Sequence, residues 1–197
     1  MSKVRVLFLC IVLAGYGCAG PDTNPVDVDG ATVDALADAA DGLGRVNGGG
    51  YYALVAGGTT LDIQVAFSGE QTALDESATG TFHHRTTFGE TRLEYHGRMT
   101  CLAIDPEEGR AWIGGIITLN KSDGAAGTNP LRQPGKDIWF RILDVGDPGT
   151  AGDRTTFVGF EGSGGIITSQ EYCDTRPWPD NNDRTWPMIA GNLKIQP

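Results

Sequence analysis

Residues 81–119, which read TFHHRTTFGETRLEYHGRMTCLAIDPEEGRAWIGGIITL, decide the fold of this chain. The stretch contains all 3 histidines of the sequence, and alternating apolar and polar residues flank Gly89 and Glu90. Alternation on both sides of a two-residue loop that begins with glycine predicts a β-hairpin with a type II′ turn. We therefore expect an antiparallel ribbon at the centre of the fold.

Counting outward from this turn predicts how the strands pair. The expected pairs are Phe88 with Thr91, Thr87 with Arg92, Arg85 with Glu94, His84 with Tyr95, and His83 with His96. Because side chains alternate between the two faces of a strand, this register separates a polar face from an apolar one. The expected inner face holds Phe82, His84, Thr86, Phe88, Leu93, Tyr95, Met99 and Cys101.

Glycine-punctuated strands fill most of the chain from residue 46 onward. Besides the hairpin, the alternation predicts strands at 51–56, 60–68, 110–120, 137–145, 154–160 and 191–196. The glycines at 48–50 are expected to form a bend. The fold class is therefore all-β, a single antiparallel barrel or curled sandwich of about eight strands. Two long loops, 121–136 and 161–189, complete it.

Two of the predicted strands, 110–120 and 137–145, are apolar on both faces. A barrel interior covers one face of each strand, so the other face needs a second cover. Either the long C-terminal loop or the surface of a partner protein could supply it.

The N-terminus has the features of a bacterial export signal. Lys3 and Arg5 precede an apolar run, 6–14, that is too short to span a bilayer. We therefore assign residues 1–17 to a signal peptide, 18–45 to an anchored, flexible acidic spacer, and 46–197 to the β-domain. Residues 18–45 are rich in aspartate and poor in large apolar side chains, so they cannot bury enough surface to fold.

The end of the signal, LAGYGC, resembles the lipobox of bacterial lipoproteins. Gly17 precedes Cys18 as in that motif, although Gly15 and Tyr16 depart from its usual leucine and small residue. The resemblance implies that Cys18 is lipid-modified and anchors the protein in the cell envelope, at the outer membrane. Cleavage near Ala19 and free secretion is the alternative.

The chain is acidic, with a formal net charge of −10. Loss of residues 1–17, which contain Lys3, Arg5 and no acidic residue, makes it −12. Such a surface argues against a nucleic-acid partner and against electrostatic adhesion to anionic lipid. Membrane attachment must then come from the lipid.

Cys101 and Cys173 are the cysteines that remain once Cys10 is cleaved off and Cys18 is lipidated. In an oxidising compartment, an isolated pair predicts a disulfide. Because Cys101 is expected to face inward, the bond would tie the longer loop over one end or flank of the barrel. A catalytic thiol is the alternative, but neither cysteine has a neighbouring histidine.

The candidate catalytic residues are His84 and Tyr95, which the register places together on the inner face. A histidine oriented by a tyrosine could act as a general acid or base, and the competing interpretation is a core histidine satisfied by hydrogen bonds. His83 and His96 face each other outside, close enough to share a metal, with Glu94 on the same face. A metal site needs further ligands and support, so the sequence alone assigns no metal or other cofactor.

Trp178 and Trp186 in the longer loop could stack on a sugar ring, or they could plug the barrel end. The leading hypothesis is a non-enzymatic binding or structural domain for a small molecule, a glycan or a protein partner. A small hydrolase or isomerase using His84 and Tyr95 in a barrel cavity is the alternative.

Four phrases carry a wider resemblance: HGRMTCLAIDPEEGRAWIGGIIT, DIWFRILDVGD, DRTTFVGFEG and YCDTRPWPDNNDRTWPMIAGNLKIQ. They are similar to a group of small exported bacterial β-proteins of unknown function, often lipoproteins, across residues 48–196. The resemblance implies a single β-domain with a shared cysteine pair. It brings no activity, ligand or catalytic residue.

Overall fold

The computed structural model describes residues 43–146, 152–180 and 184–196. The predicted signal peptide, Cys18 and the acidic spacer up to residue 42 lie outside the described residues, and their assignments stay predictions. Within the described parts, no helix is both long enough and apolar enough to cross a bilayer.

The described chain is dominated by one antiparallel sheet, which confirms the all-β prediction. The elements, in chain order, are β1 Arg45–Ala56, β2 Thr59–Gln71, β3 Ala78–Phe88, β4 Thr91–Asp105, β5 Arg110–Asn120, α1 Gly124–Thr128, β6 Asp137–Leu143, β7 Arg154–Thr155, β8 Gly159–Phe160, α2 Ser169–Thr175, β9 Trp186–Pro187 and β10 Ala190–Gln196. In space the order is β10-β1-β2-β3-β4-β5-β6-β7-β9, and β8 also pairs with β6. Both short helices lie within the stretches predicted as long loops.

The sheet curls into a barrel-like shape whose end strands, β9 and β10, are separated in the chain by residues 188 and 189 alone. Two carboxylates accept hydrogen bonds from the backbone at the outer edge of β10. The Leu193 N–H donates to Asp153 Oδ2 at 2.7 Å, and the Ile195 N–H donates to Asp144 Oδ2 at 2.9 Å. Because an unpaired strand edge exposes backbone donors, these carboxylates satisfy groups that a neighbouring strand would otherwise bind.

The hairpin register predicted from the sequence is confirmed. His83 pairs with His96, His84 with Tyr95, and Arg85 with Glu94 across β3 and β4. Gly89 has φ +56°, as the first central residue of a type II′ turn requires. The polar and apolar faces of the ribbon therefore separate at this turn as expected.

The expected inward orientation of Cys101 is wrong. A register shift between Met99 and Cys101 inserts an extra residue into β4, and the alternation of side chains changes faces there. Met99 and Leu102 lie in the interior, whereas Cys101 packs with a second cluster on the outside of the sheet. Period-two counting fails at such a bulge because two residues of one strand face one residue of the other.

Two further expectations are corrected. The glycines at 48–50 do not form a bend but continue β1 in register with β2 and β10. The predicted strand 154–160 is two short pieces, β7 and β8, which pair with opposite halves of β6. Residues 156–158, which connect the two pieces, line a pocket.

The interior cluster fills the curled sheet with buried side chains from β1 to β6, β8 and β10. Phe82 of β3 and Phe67 of β2 both pack against Phe140 of β6, with ring centroids 5.6 Å apart. The interior at these strands is therefore occupied by packed side chains.

The flank cluster lies on the opposite face of β4, β5 and β6. It consists of Cys101, Ala103, Trp112, Trp139, Ile166, Tyr172 and Cys173. The Cys101–Cys173 disulfide holds α2 against this face, and the two Cα atoms are 6.2 Å apart. The chain's own C-terminal segment is thus the second cover that the two-sided apolar strands required.

A glycine in β5 allows this close packing. A Cβ atom on Gly114 would lie 2.5 Å from the Cys101 sulfur and 2.7 Å from the Ser169 carbonyl oxygen. Any larger residue would therefore push α2 away from the sheet.

Candidate functional site

The structure brings Trp178 and Trp186 to the wall of one open pocket of about 230 Å³. The pocket lies where the segment between β7 and β8 meets the segment after α2. Its wall consists of Trp139, Thr156, Phe157, Val158, Gly159, Ser163, Gly164, Tyr172, Trp178, Arg184 and Trp186. Five of these residues are aromatic, and Arg184 supplies a positive charge.

Hydrogen bonds from two buried side chains position Trp178. Arg141, which is 1% exposed, donates through Nη1 to the carbonyl oxygens of Pro177 and Trp178. The indole N–H of Trp112 also donates to the Pro177 carbonyl, at 3.0 Å. The guanidinium of Arg184 lies over the Trp178 ring, 4.4 Å from its centroid, in a cation–π contact. The backbone under Trp178 is therefore fixed from the core.

Stacked aromatic pairs hold the other walls. Trp186 of β9 stacks on Tyr52 of β1 with centroids 6.5 Å apart, and Trp139 of β6 stacks on Tyr172 of α2 at 5.7 Å. Aromatic surfaces with a few polar groups are typical of small-molecule sites, whose volumes usually run from about 300 Å³ upward. This slightly smaller pocket suits one ring-sized group.

His84 lies in the core beneath this region. It is 2% exposed, and its Nε2 lies 3.4 Å from the Tyr52 hydroxyl, which also donates to the Thr156 carbonyl oxygen at 3.1 Å. The Phe157 ring meets it edge-on at 5.2 Å. Burial lowers the pKa of His84 to about 3, so the imidazole is neutral at physiological pH.

Tyr95, the predicted partner of His84, sits opposite it in the register but does not orient it. The Tyr95 hydroxyl is buried and has no hydrogen-bond partner among the described residues. An enzyme acting through His84 and Tyr95 needs an opening at His84. Packed side chains leave His84 only 2% exposed, so the structure does not support the hydrolase or isomerase hypothesis.

His83, Glu94 and His96 converge on the outer face of the same hairpin. Glu94 Oε1 lies 3.1 Å from His96 Nε2 and 3.7 Å from His83 Nε2. The two imidazole rings stack with centroids 4.4 Å apart. The sequence predicted that the histidines face each other, and the structure adds that one carboxylate oxygen reaches both.

The charge of this cluster depends on competing effects. Burial alone would raise the pKa of Glu94, but the hydrogen bond with His96 and the nearby Arg92 outweigh it and hold that pKa below its ordinary value. Burial lowers the pKa of His83, and His96 lowers it further. At neutral pH the cluster therefore combines an ionised carboxylate with a neutral His83 ring.

Sequence reasoning missed Phe157, Tyr172 and Arg184 in the pocket wall, and Arg141 beneath Trp178. One signal was present: Thr168 accepts from the Glu171 N–H at 3.1 Å, so the Thr-x-x-Glu spacing marks the start of α2. That helix carries Tyr172. The cysteine pair predicted a tie between this segment and the strand of Cys101, but not that the helix would cover the outer face of β5 and β6.

Comparison of the chain with protein-family models, with curated proteins and with solved structures finds no match.

Proposed function

We propose that this protein is a lipid-anchored, non-enzymatic binding domain of the bacterial cell envelope, whose aromatic pocket holds a sugar ring of a glycan. The observation that carries the proposal is the meeting of Trp178 and Trp186 in one open, largely aromatic pocket. Trp178 and Trp186 are 8 positions apart in the sequence, and the fold places both in the wall of the same pocket.

The chemistry of the wall matches a sugar. A sugar ring has an apolar face of C–H groups that packs on aromatic rings, and its edge carries hydroxyls that need hydrogen-bond partners. Thr156, Ser163 and Arg184 provide polar groups beside the aromatic walls. The pocket therefore offers both kinds of contact within one ring-sized space.

The rigidity of the wall also supports binding. The disulfide ties α2 to β4, and the Arg141 hydrogen bonds fix the backbone at Trp178. A site that is ordered before the ligand arrives avoids part of the entropic cost of binding.

The proposed location rests on the N-terminal signal and on the cysteines. A disulfide of this kind forms and persists in oxidising compartments such as the periplasm. Radiolabelled palmitate should be incorporated into the full chain and lost in Cys18→Ala. Equal labelling of both proteins would refute the lipid anchor without bearing on the pocket.

Retention on isolated envelope polysaccharide and peptidoglycan tests the binding function. Trp178→Ala and Trp186→Ala should each cost about 1–2 kcal/mol, or roughly 5- to 30-fold in affinity. Tyr51→Ala is the matched control, because Tyr51 is an aromatic residue outside the pocket wall.

Arg184→Ala provides a second test at an exposed position, where unfolding is not expected. Its affinity should fall while its thermal unfolding matches that of the wild type. Wild-type retention of all three pocket variants, or no retention of the wild type on any of these glycans, would overturn the glycan proposal.

A further inference from the structure

Three side chains of metal-binding type meet on the outer face of the β3–β4 hairpin. The potential ligand atoms of His83, Glu94 and His96 all lie within 4.8 Å of one another. This cluster is separate from the aromatic pocket, because none of its members belongs to that wall. We propose that these three residues bind a divalent transition metal such as Zn²⁺.

The spacing is close to what an ion requires. Zinc binds histidine nitrogen and carboxylate oxygen at about 2.0–2.2 Å, so ligand atoms around a tetrahedral ion lie roughly 3.3 Å apart. The His96 Nε2 to Glu94 Oε1 distance is 3.1 Å, and the His83 Nε2 to Glu94 Oε1 distance is 3.7 Å. Both distances are therefore close to the spacing that one ion requires.

Strand pairing holds the ligands in place. His83 and His96 are direct cross-strand partners, and Glu94 lies two residues before His96 on the same face. Rigid sheet positions give a metal site better geometry than loop positions do. The sheet therefore presents the three groups together before any metal arrives.

One nitrogen in the cluster forms no hydrogen bond in the part of the chain that the structure describes, although Glu94 Oε1 lies 3.7 Å from it. His83 Nε2 is buried and has no hydrogen-bond partner among the described residues. A buried polar atom without a hydrogen bond destabilises the folded chain. A metal ion at the centre of the cluster would satisfy this nitrogen.

The donor types favour transition metals over calcium or magnesium. Imidazole nitrogen suits zinc, copper, iron and nickel, whereas calcium and magnesium prefer oxygen ligands.

Positive side chains also face the cluster. Arg92 Nε lies 3.7 Å from Glu94 Oε2, Lys121 Nζ lies 4.0 Å from Glu94 Oε1, and Arg85 pairs with Glu94 across the strands. These positive charges repel a metal cation, so coordination by the imidazoles must provide the affinity for the metal. We therefore expect an exchangeable metal rather than a permanently bound one.

A groove beside the histidines leaves room for a further ligand. It has a volume of about 590 Å³, and small residues, Ala66, Ser68, Gly97 and Thr118, line it with His83 and His96. Three protein ligands with an open position are typical of zinc sites that exchange water or an external group. The site is thus suited to binding an outside ligand through the metal.

Calorimetric titration of the full chain, stripped with EDTA and kept in detergent, with ZnCl₂ tests the proposal. The wild type should bind one Zn²⁺ per chain, and His83→Gln and His96→Gln should each weaken binding at least about tenfold. Glu94→Gln should do the same. The matched control Glu90→Gln, an exposed carboxylate in the turn of the same hairpin, should bind like the wild type.

Thermal unfolding provides a second measurement. Zn²⁺ should raise the melting temperature of the wild type but not of the His83→Gln/His96→Gln double variant, and the two should melt alike in EDTA. Equal zinc affinity in the wild type and the double variant would overturn the proposal. Such a result would place any bound zinc elsewhere, for example on the acidic residues of 18–45.

Discussion

The two faces of the β3–β4 hairpin place neighbouring histidines in opposite environments. His84 points into the core, is 2% exposed, and has a pKa lowered to about 3 by burial. His83, the preceding residue, lies outside next to His96 and Glu94, and its side chain is 36% exposed. Identical side chains one residue apart thus serve packing on one face and offer a ligand set on the other, because a strand alternates its side chains.

The largest expected effect is the difference in unfolding free energy between a substitution on the inner face of the hairpin and one on its outer face. Phe82→Ala on the inner face should cost about 3–5 kcal/mol of unfolding free energy, because it empties the contact with Phe140. Arg98→Ala, at an exposed position on the outer face, should change it by no more than about 0.5 kcal/mol. Urea unfolding measures both, and similar losses in the two variants would contradict the assignment of faces.

Removal of the disulfide tests how strongly α2 is held on the outer face of the sheet, where the β4 bulge places Cys101. Replacing Cys101 and Cys173 together with alanine should cost about 2–5 kcal/mol, because the bond restricts the unfolded chain and holds α2 on the flank. Unfolding of the wild type in a reducing agent should show the same loss. If the double variant is as stable as the oxidised wild type, α2 does not depend on this bond.

The inner histidine predicts a pH dependence. Its folded pKa lies below its unfolded value of 6.5, so the unfolded chain takes up a proton first and stability falls as the pH drops from 6.5 toward 3. The slope from this one group should approach about 1.4 kcal/mol per pH unit between pH 6 and pH 5. His84→Leu should flatten the dependence in chemical denaturation, and an unchanged slope would refute the buried, neutral state.

The smallest effect concerns the outer histidines without metal. In EDTA, His96→Gln should alter the unfolding free energy by no more than about 0.5 kcal/mol, since the residue is partly exposed and belongs to no core cluster. A loss of several kcal/mol would mean that the outer cluster maintains the fold, and the contrast between the faces would then be weaker.

Local patterns predicted the parts of the fold that depend on neighbouring residues. The Gly89 turn set the β3–β4 register, and that register placed His84 with Tyr95 and His83 with His96. The pairing of Cys101 with Cys173 followed from the expected compartment. The bulge after Met99 was not predictable, because an extra residue leaves no mark in an alternation of apolar side chains.

Each candidate site was likewise predicted only in part. The sequence placed His83 and His96 opposite each other, but not the rotamers that bring Glu94 to both rings. It marked Trp178 and Trp186 as unusual, but not Arg141 beneath them or Tyr172 beside them.

The sequence by itself determined the all-β class, the central hairpin with its two faces, and the pair of cysteines. Each of these follows from spacing within a strand or turn, where geometry fixes which residues are neighbours. Only the tertiary structure decided that the C-terminal segment covers the outer face of β5 and β6, and that an aromatic pocket opens beside it. Those contacts join residues far apart in the chain, and their formation depends on how shapes and buried polar groups fit together rather than on any local period.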